Sequence, residues 1–420
     1  MNFRLKLQKG GIIFITGFIM FSSIHLLLPG YRQIEWKQIM RNESRQNRGT
    51  KVTTDSVVVS CTELVQATPA ANLPVPKGTR SIVLEDKTSL RLIAAYMRGG
   101  STLMADLVRN TPADFYMFEP LHGIYFAVRE KKLVQFLNGT ERYISMDEVE
   151  NVYVEMMYHW YTCSFDYIDL ISLSSRFIKI HTPEHNVYFN CISRPKTRET
   201  KRDTVRRCIT HLQTKCKRAK SRTIKTVRLP LLTVKKLIKR LPSLKVVHLN
   251  RDPRGILNSQ FQLLINEGKN VTTAARELCG TMEEDLKTYE DFEFCSGRIL
   301  RVIYEELCQF PFIIVPKIYN FFKITSMKRN GLRMVETKMM GPLRNCAYCT
   351  NRGDAVKTAY RWIDSISKEF LHTADRFCSV IYSKLGYLHL NYENLKITKT
   401  SWQPFREETN NTDTGLSNIH

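Results

Sequence analysis

The segment 98–102 places a cation, two glycines and two hydroxyl groups in consecutive positions. It consists of Arg98, Gly99, Gly100, Ser101 and Thr102. The apolar run at 91–97 predicts a buried strand before the segment, and residues 103–108 predict a helix after it. In such a unit the helix N–H groups face a bound anion, glycines allow its close approach, and a guanidinium matches phosphate or sulfate oxygens. The segment therefore predicts an anion site, with an ordinary strand-to-helix turn as the alternative.

A second segment of the same kind lies about 150 residues further along the chain. The run at 244–249 predicts another buried strand, and Arg251 follows it, eight residues before Ser259. A turn and a helical rise between these two residues can bring both onto one phosphate. Asp252 is expected to hold Arg251 by a charge-assisted pair, and Pro253 suits a helix start. A structural Arg–Asp pair that caps the helix is the alternative.

The elements around these segments predict the fold class. From about residue 90, short apolar runs alternate with longer helical patterns. This alternation is typical of the α/β class, with a central parallel sheet flanked by crossover helices. No internal repeat is present.

The charge and the N-terminus narrow the function classes. The chain has 63 Lys and Arg against 40 Asp and Glu, a net charge of +23, which indicates anionic partners. Residues 11–28 carry no charged side chain and follow three basic residues, which predicts a transmembrane signal anchor at 11–30 and a cytosolic tail at 1–10. A cleaved signal peptide is the alternative. The predicted body is lumenal, which makes nucleic acid a poor partner.

Cysteines and glycosylation signals agree with a lumenal body. There are 11 cysteines, and several are expected to pair in an oxidising compartment. Cys346 and Cys349 form a CxxC without a second pair, which favours a structural role over a metal site. Four glycosylation acceptors are present, at Asn42, Asn138, Asn270 and Asn410.

Three further segments differ in composition from the body. Residues 31–87 predict a stem, and residues 396–420 predict a polar tail. The stretch 194–228 holds fourteen Lys or Arg against Glu199 and Asp203. A solvated loop or insertion is the favoured interpretation of this stretch, and an electropositive rim for a sulfated or uronic-acid-bearing chain is the alternative.

Four segments in order carry a family resemblance. They are 96–102 (YMRGGST), 115–122 (FYMFEPLH), 224–228 (IKTVR) and 244–254 (LKVVHLNRDPR). Together they resemble the galactose, N-acetylgalactosamine and N-acetylglucosamine 6-O-sulfotransferase family of Golgi carbohydrate sulfotransferases. The resemblance implies a sulfotransferase domain at 88–395 with a sheet related to that of P-loop nucleotide kinases, in a single-pass type II Golgi membrane protein. It implies 3′-phosphoadenylyl sulfate (PAPS) as donor, no metal and a glycan or glycosaminoglycan acceptor, and it allows a homodimer.

The resemblance also implies roles for individual residues. The residues expected around the 5′-phosphosulfate of the donor are Arg98, Gly99, Gly100, Ser101, Thr102 and Leu103. Arg251 and Ser259 are expected at its 3′-phosphate. Glu119 is the candidate base for the acceptor hydroxyl, with a structural ion pair as its alternative role. His122 is a second candidate base and is expected to line the acceptor cleft.

Three departures from the family pattern accompany the resemblance. Gly99 stands where the family has Ser or Thr, Ile303 stands where an RYEDL-like segment has arginine, and the segment around Arg352 is shifted by about one residue. A catalytically inactive glycan-binding protein of the same fold is therefore one alternative. A Golgi glycosyltransferase is another, although the chain lacks the Asp-x-Asp element that many of those enzymes use.

Overall fold

A computed structural model of the chain describes residues 88–109, 114–324, 332–341 and 353–397. The predicted cytosolic tail, anchor and stem, the CxxC cysteines, Arg352 and the polar tail from residue 398 lie outside these ranges. Within the described ranges, no helix has both the length and the apolar character needed to cross a bilayer.

Five parallel strands form the central sheet of the described chain. They are β1 (Ser89–Ala95), β2 (Asp114–Phe118), β5 (Ser221–Thr226), β6 (Leu244–Asn250) and β7 (Ile299–Ile303). Their order across the sheet is β2-β5-β1-β6-β7, and every neighbouring pair is parallel. Two short strands, β3 (Val134–Gln135) and β4 (Glu141–Arg142), form a separate antiparallel pair.

Helices connect the strands and follow the last one. In chain order they are α1 (Ser101–Val108), α2 (His122–Arg129), α3 (Val149–Thr162), α4 (Leu170–Leu173), α5 (Arg176–His181), α6 (Asn186–Ile192), α7 (Lys201–Arg218), α8 (Leu231–Arg240), α9 (Pro253–Gln262), α10 (Val271–Ser296), α11 (Tyr304–Gln309), α12 (Pro311–Phe321), α13 (Leu332–Met339), α14 (Ala355–Tyr360), α15 (Lys368–Leu385) and α16 (Tyr392–Ile397). Short 3-10 helices are found at Phe165–Tyr167, Pro183–His185 and Arg361–Asp364.

The two faces of the sheet carry separate hydrophobic cores. Leu92 of β1 packs in a cluster with α3 and α8, whereas its neighbour Ile93 packs in a second cluster with α1 and α12. Both side chains are fully buried. Because successive side chains of a strand point to opposite faces, helices on both faces explain why β1 is apolar from Leu92 to Ala95. The predicted α/β class with a central parallel sheet is confirmed.

Most of the basic stretch at 194–228 is a helix and a strand, so its interpretation as a loop is wrong for residues 201–218 and 221–226. Residues 201–218 form α7, which begins with a capping box between Thr200 and Asp203. Its buried positions include Val205, Cys208, Leu212 and Cys216, which share one face at helical spacing. The cations occupy the remaining faces of α7, and their number conceals the periodicity of the apolar residues in the sequence.

Three disulfides cross-link the described residues, which confirms the expected pairing of several cysteines. Cys163–Cys216 and Cys191–Cys208 attach α7 to neighbouring elements, and Cys279–Cys378 joins α10 to α15. Cys308 is a buried free thiol. The elements that follow β7 are therefore tied covalently to the body.

We expect the Cys279–Cys378 bridge to stabilise the fold more than the Cys191–Cys208 bridge. The first joins residues 99 apart in sequence and the second residues 17 apart, and a longer loop loses more entropy in the unfolded chain. Replacing Cys279 and Cys378 with Ala should lower the free energy of unfolding by about 4–5 kcal/mol. The matched Cys191→Ala, Cys208→Ala variant should lose about 3 kcal/mol. Urea unfolding of both variants measures this, and equal or reversed losses contradict the expectation.

Candidate active site

The turn after β1 needs glycine at residue 100. The Gly99 N–H donates to the Tyr96 carbonyl oxygen at 2.8 Å, which closes the turn. Gly100 has a φ of 90°, and a Cβ there would lie 2.2 Å from the Tyr304 ring. A side chain at residue 100 would therefore meet both backbone strain and a collision. The turn leads the chain from β1 directly into α1.

The first turn of α1 has no side chain that caps it. Gly100 is the N-cap residue and supplies no polar side chain. Ser101 and Leu103 are buried, whereas Thr102 is exposed to solvent. Unsatisfied N–H groups and the helix dipole make such an end favourable for an anion. The predicted strand–turn–helix geometry is present, and the assignment of these residues to a phosphosulfate stays a prediction.

Asp252 pairs with Arg254, so the expected pair between Asp252 and Arg251 is wrong. The Asp252 side chain caps α9 by accepting from the Arg254 N–H at 2.9 Å. It also accepts from Arg254 Nε at 3.0 Å and from Arg254 Nη2 at 2.8 Å. Arg254 is fully buried, and a buried cation requires a carboxylate partner. The capping Arg–Asp pair that was the alternative is present, with Arg254 as its cation.

The two predicted anion segments meet where β1 and β6 end. Arg98 Nε donates to Ser259 Oγ at 3.1 Å, and both side chains are half-buried. Arg251 Nη1 donates to the Arg98 carbonyl oxygen at 2.8 Å, and Arg251 Nη2 donates to the Ala359 carbonyl oxygen at 3.1 Å. Arg98 and Ser259, assigned from the sequence to different phosphates, are therefore in direct contact. Arg251 holds the backbone of the first segment in place.

A glycine within α9 allows the C-terminal segment to reach Arg251. A Cβ at Gly255 would lie 2.8 Å from Trp362 Cδ1, so the indole occupies the space that a larger residue would need. Trp362 belongs to the 3-10 helix that follows Ala359, which accepts the Arg251 hydrogen bond. The packing of Trp362 against Gly255 therefore determines how closely the C-terminal helices approach the site.

The residues that follow β7 complete the surroundings of Arg251, and the sequence did not identify them as site residues. The Arg251 guanidinium carbon lies 4.8 Å from the centre of the Tyr304 ring, and its Nε lies 3.9 Å from Glu305 Oε1. Tyr387 Oη donates to Glu305 Oε2 at 2.9 Å. Burial raises the pKa of Glu305 to about 7 against the opposing effect of Arg251. Tyr304 and Glu305 directly follow the buried strand β7, and this position in the sequence could have identified them as site residues.

Glu119 lies at the end of β2 in a buried ion-pair cluster. Its Oε1 accepts from Lys225 Nζ at 2.6 Å, and its Oε2 accepts from Arg228 Nη1 at 2.6 Å and from the Val227 N–H at 3.3 Å. Burial opposes ionisation, but the charges of Lys225 and Arg228 outweigh it and hold the pKa of Glu119 below its ordinary value. Only 2% of the carboxylate side chain is exposed. These contacts are those of the structural ion pair that was the alternative role.

His122 lies at the start of α2, one turn beyond Glu119. The imidazole is half-buried and stacks on Phe177, with 4.0 Å between the ring centres. Burial, together with the nearby Arg228 charge, lowers the pKa of His122 to about 4. The ring is therefore neutral at pH 7, and the lowered pKa makes it a weak base. His122 is also more accessible than Glu119, so the geometry favours His122 over Glu119 as a base.

Lys225 and Arg228 are site residues that sequence reasoning did not assign. Both lie in the quoted 224–228 segment, at and just beyond the end of β5. Burial lowers the pKa of Lys225 against the opposing effect of Glu119, and the charges of Arg228 and Arg98 lower it further, so Arg98 lies near Lys225. Because parallel strands end at the same edge of a sheet, β5 places these cations between β1 and β2. The position of Lys225 and Arg228 follows from the order of the strands in the folded sheet, and this order cannot be read from the sequence.

Metal-binding side chains do not cluster in the described part of the chain. Among the residues that the structure describes, no group of three or more His, Cys, Asp or Glu side chains could hold a metal ion. The hydrogen-bonding groups of the site are instead cationic side chains, hydroxyl groups and the N–H groups that begin α1.

Comparison with known proteins identifies the family. Residues 90–341, more than half of the chain, match the family described as the sulfotransferase domain. The chain belongs to the sulfotransferase family. Both segments that meet at the Arg98–Ser259 contact lie inside the matched region of this sulfotransferase.

Relatives of this sulfotransferase include Carbohydrate sulfotransferase 1 of Homo sapiens, which is 24% identical over 373 residues, 78% of this chain and 86% of the relative. The protein of that name in Danio rerio is 23% identical over 343 residues, 71% of this chain and 78% of the relative. The solved structure of mouse sulfotransferase SULT7A1 complexed with PAP covers 74% of this chain and 88% of its own, with 12% identity and a TM-score of 0.35. The resemblance to carbohydrate sulfotransferases that the motifs indicated is confirmed.

Replacing Glu119 with Gln should lower the free energy of unfolding of this sulfotransferase by about 3–5 kcal/mol at neutral pH, because the buried Lys225 and the half-buried Arg228 lose their carboxylate. The pKa of Glu119 is lowered on folding, so its contribution is complete above the ordinary value of 4.5 and is lost as the pH falls through the folded value. Urea unfolding over this pH range should show the difference shrinking in acid. Glu130→Gln, which removes an exposed pair with Lys132, is the control and should change stability by less than about 1 kcal/mol.

Glu305 should make stability fall as the pH rises toward neutrality. Its pKa is raised from 4.5 to about 7, so the folded state keeps a proton that the unfolded chain releases. Gln has the shape of the protonated acid and no charge. The free energy of unfolding of Glu305→Gln, minus that of the wild type, should therefore increase between about pH 5 and pH 8. A flat difference for Glu305→Gln over this pH range contradicts the raised pKa.

Proposed function

We propose that this sulfotransferase transfers the sulfuryl group of PAPS to a sugar hydroxyl, the 6-hydroxyl of galactose, N-acetylgalactosamine or N-acetylglucosamine, in a glycan or glycosaminoglycan. The observation that carries this proposal is the contact between Arg98 and Ser259, which joins the two segments predicted to bind anions at one edge of the sheet. The relatives named Carbohydrate sulfotransferase 1 support a carbohydrate acceptor. Membership of the sulfotransferase family supports a sulfate donor of this type.

The donor contacts of the proposal use side chains and backbone groups around α1. Arg98, Ser101 and Thr102, with the N–H groups that begin the helix, would hold the 5′-phosphosulfate. Ser259 would contact the 3′-phosphate, and Arg251 keeps the turn in position through its bond to the Arg98 carbonyl oxygen. A preformed site of this kind stabilises charge without reorganising during the reaction.

The transfer step needs positive charge beside the moving group and a base for the acceptor. The sulfur–oxygen bond to the 5′-phosphate breaks, a new bond forms to the sugar oxygen, and the hydroxyl proton must leave. Lys225 and Arg228 supply positive charge next to Arg98, and Glu119 fixes their positions. His122 accepts the proton, since its imidazole is neutral and more accessible than the Glu119 carboxylate.

The cellular setting of the proposal follows from the sequence. The charge-free segment at 11–28 would anchor a single-pass type II protein in the Golgi membrane, with its body in the lumen. The three disulfides support an oxidising compartment. The basic helix α7 would face the same compartment as the acidic glycans that such an enzyme modifies.

The proposal is tested with the purified full chain, radiolabelled PAPS and oligosaccharides that end in each of the three sugars. Arg98→Ala should weaken PAP binding at least about tenfold, because charge-assisted bonds to phosphate are lost. His122→Asn should lower kcat by about 10²–10⁴-fold while PAP affinity stays unchanged. Arg376→Ala, at an exposed position of α15, is the matched control for the arginine change and should leave both quantities unchanged.

Each outcome of this experiment distinguishes the proposal from its rivals. Glu119→Gln is assayed in the same way. If this variant loses turnover but keeps its PAP affinity, while His122→Asn keeps its turnover, then Glu119 is the base. PAP binding without transfer to any acceptor would favour the inactive glycan-binding protein. A folded chain that binds neither PAPS nor PAP would refute the donor assignment.

A further inference from the structure

A buried carboxylate joins the two segments that carry the cations of the proposed transfer step. Asp285 lies on α10 and is almost fully buried. Its Oδ2 accepts from Tyr96 Oη at 2.8 Å, and its Oδ1 accepts from the Leu231 N–H at 2.6 Å. Tyr96 directly follows β1, and Leu231 is the first residue of α8. We name these three residues the carboxylate clamp.

Tyr96 connects the carboxylate clamp to the turn after β1. Its carbonyl oxygen accepts the Gly99 N–H bond that closes the turn, and Arg98 lies two residues further along the chain. The Tyr96 ring is buried and packs in a cluster with Ile256 of α9. The backbone of Tyr96 thus closes the turn, while its hydroxyl group is fixed to α10 through Asp285.

Leu231 connects the carboxylate clamp to the end of β5. Arg228 lies three residues before it, and Lys225 lies six residues before it. The N-cap residue of α8 is Pro230, whose side chain makes no capping bond. Asp285 therefore supplies, from α10, an acceptor for an N–H group that has no partner within the helix. The connection that carries Arg228 is thereby attached to the same carboxylate as the turn after β1.

Hydrogen bonds, rather than a salt bridge to lysine or arginine, hold the Asp285 carboxylate among the described residues. The His248 Nε2 atom lies 3.8 Å from Asp285 Oδ2, but burial lowers the pKa of His248 to about 4, so this imidazole is neutral at pH 7. Burial raises the pKa of Asp285 to about 6, and the bonds from Leu231 and Tyr96 oppose the rise. Because burial of an acid is costly, its position depends on the two groups that donate to it.

We propose that Asp285 is a positioning residue, which fixes the turn after β1 and the cationic end of β5 at the separation that sulfuryl transfer requires. This inference rests on the proposed function, in which Arg98 holds the donor and the cations of β5 face the moving group. The sheet sets the spacing of β1 and β5, which are neighbours, but residues 96–99 and 227–230 lie beyond it. Reacting groups are sensitive to such spacing, since a displacement of about 1 Å can lower a rate about 10²-fold.

The proposal is tested on the full chain with variants of both side chains of the clamp. PAP affinity is measured by calorimetry, and kcat is measured with radiolabelled PAPS and the oligosaccharides that end in each of the three sugars. Tyr96→Phe, which removes one bond and keeps the ring, should weaken PAP binding about threefold to tenfold and lower kcat about tenfold. Asp285→Ala releases both segments and should lower kcat by about 10²-fold. Tyr96→Phe decides the question if Asp285→Ala does not fold.

Two further variants separate positioning from stability. Tyr382→Phe removes a bond of the same kind, from Tyr382 Oη to Asp375 Oδ1 at 2.8 Å, in the same hydrophobic cluster. It should lower the free energy of unfolding about as much as Tyr96→Phe, yet leave PAP affinity and kcat unchanged. Asp285→Asn should recover most of the turnover that Asp285→Ala loses, because an amide can accept from the Leu231 N–H and donate to the Tyr96 hydroxyl oxygen.

Hydrogen–deuterium exchange tests the same contacts without the donor. It follows the backbone N–H groups of residues 97–104 and 228–234, which contain the turn and the start of α8. Tyr96→Phe should speed exchange of the first segment about threefold to tenfold, and Asp285→Ala should speed exchange of both. Tyr382→Phe should change the exchange of neither segment.

The outcomes separate this inference from the proposed function. Faster exchange, weaker PAP binding and lower kcat in Tyr96→Phe, with recovery of turnover in Asp285→Asn, support the positioning role. Faster exchange with unchanged PAP affinity and kcat overturns it, because Asp285 then only stabilises the fold. Equal losses in Asp285→Asn and Asp285→Ala also overturn it, since charge and not the two bonds would then be required. If the wild type binds no PAP, the donor assignment fails; faster exchange still supports the clamp, and unchanged exchange overturns it.

Discussion

The Arg251 guanidinium joins segments that lie far apart in the chain, and the site depends on that junction. One terminal nitrogen holds the carbonyl oxygen of Arg98 in the turn after β1, and the other holds the carbonyl oxygen of Ala359 in α14. The Tyr304 ring, which follows β7, packs on the same guanidinium. A single planar cation with several donors can satisfy all of these partners at once, whereas lysine lacks the planar fork. The anion turn, the last strand and the C-terminal helices are therefore positioned by one side chain.

The site concentrates positive charge and uses few carboxylates to hold it. Glu119 balances Lys225 and Arg228, and Glu305 lies near Arg251 with a pKa raised to about 7. Positive charge that is only partly compensated favours anionic substrates, and burial strengthens the effect because the local dielectric is low. Two residues of this region, Arg98 and Glu119, have positive φ values of 72° and 47°. Such conformations cost about 1–3 kcal/mol each and persist where surrounding contacts impose them, as they do at functional sites.

The sequence predicted the local geometry of the site better than its side-chain pairings. The glycines at 99 and 100 and the strand-like runs before residues 98 and 251 were sufficient to place the turn and both strands. The partner of Asp252 was predicted wrongly. Arg251 and Arg254 both lie close to Asp252 in the sequence, and the sequence alone does not show that Arg254 is the more deeply buried of the two. Lys225 was not assigned to the site, since β5 lies between β1 and β2 only in the folded sheet.

The close packing of Gly255 against Trp362 has a consequence for how this protein can change. The indole of Trp362 occupies the space that a methyl group at residue 255 would need. Which side chains residue 255 can accept therefore depends on the residue at 362, and the reverse is also true. Substitutions at the two positions should therefore combine non-additively, as they do for residues in direct contact. In divergent relatives, a larger residue in α9 would be compatible with this site only where the facing aromatic residue had already become smaller. Sequence drift in the C-terminal segment is thus constrained by the helix that carries Ser259.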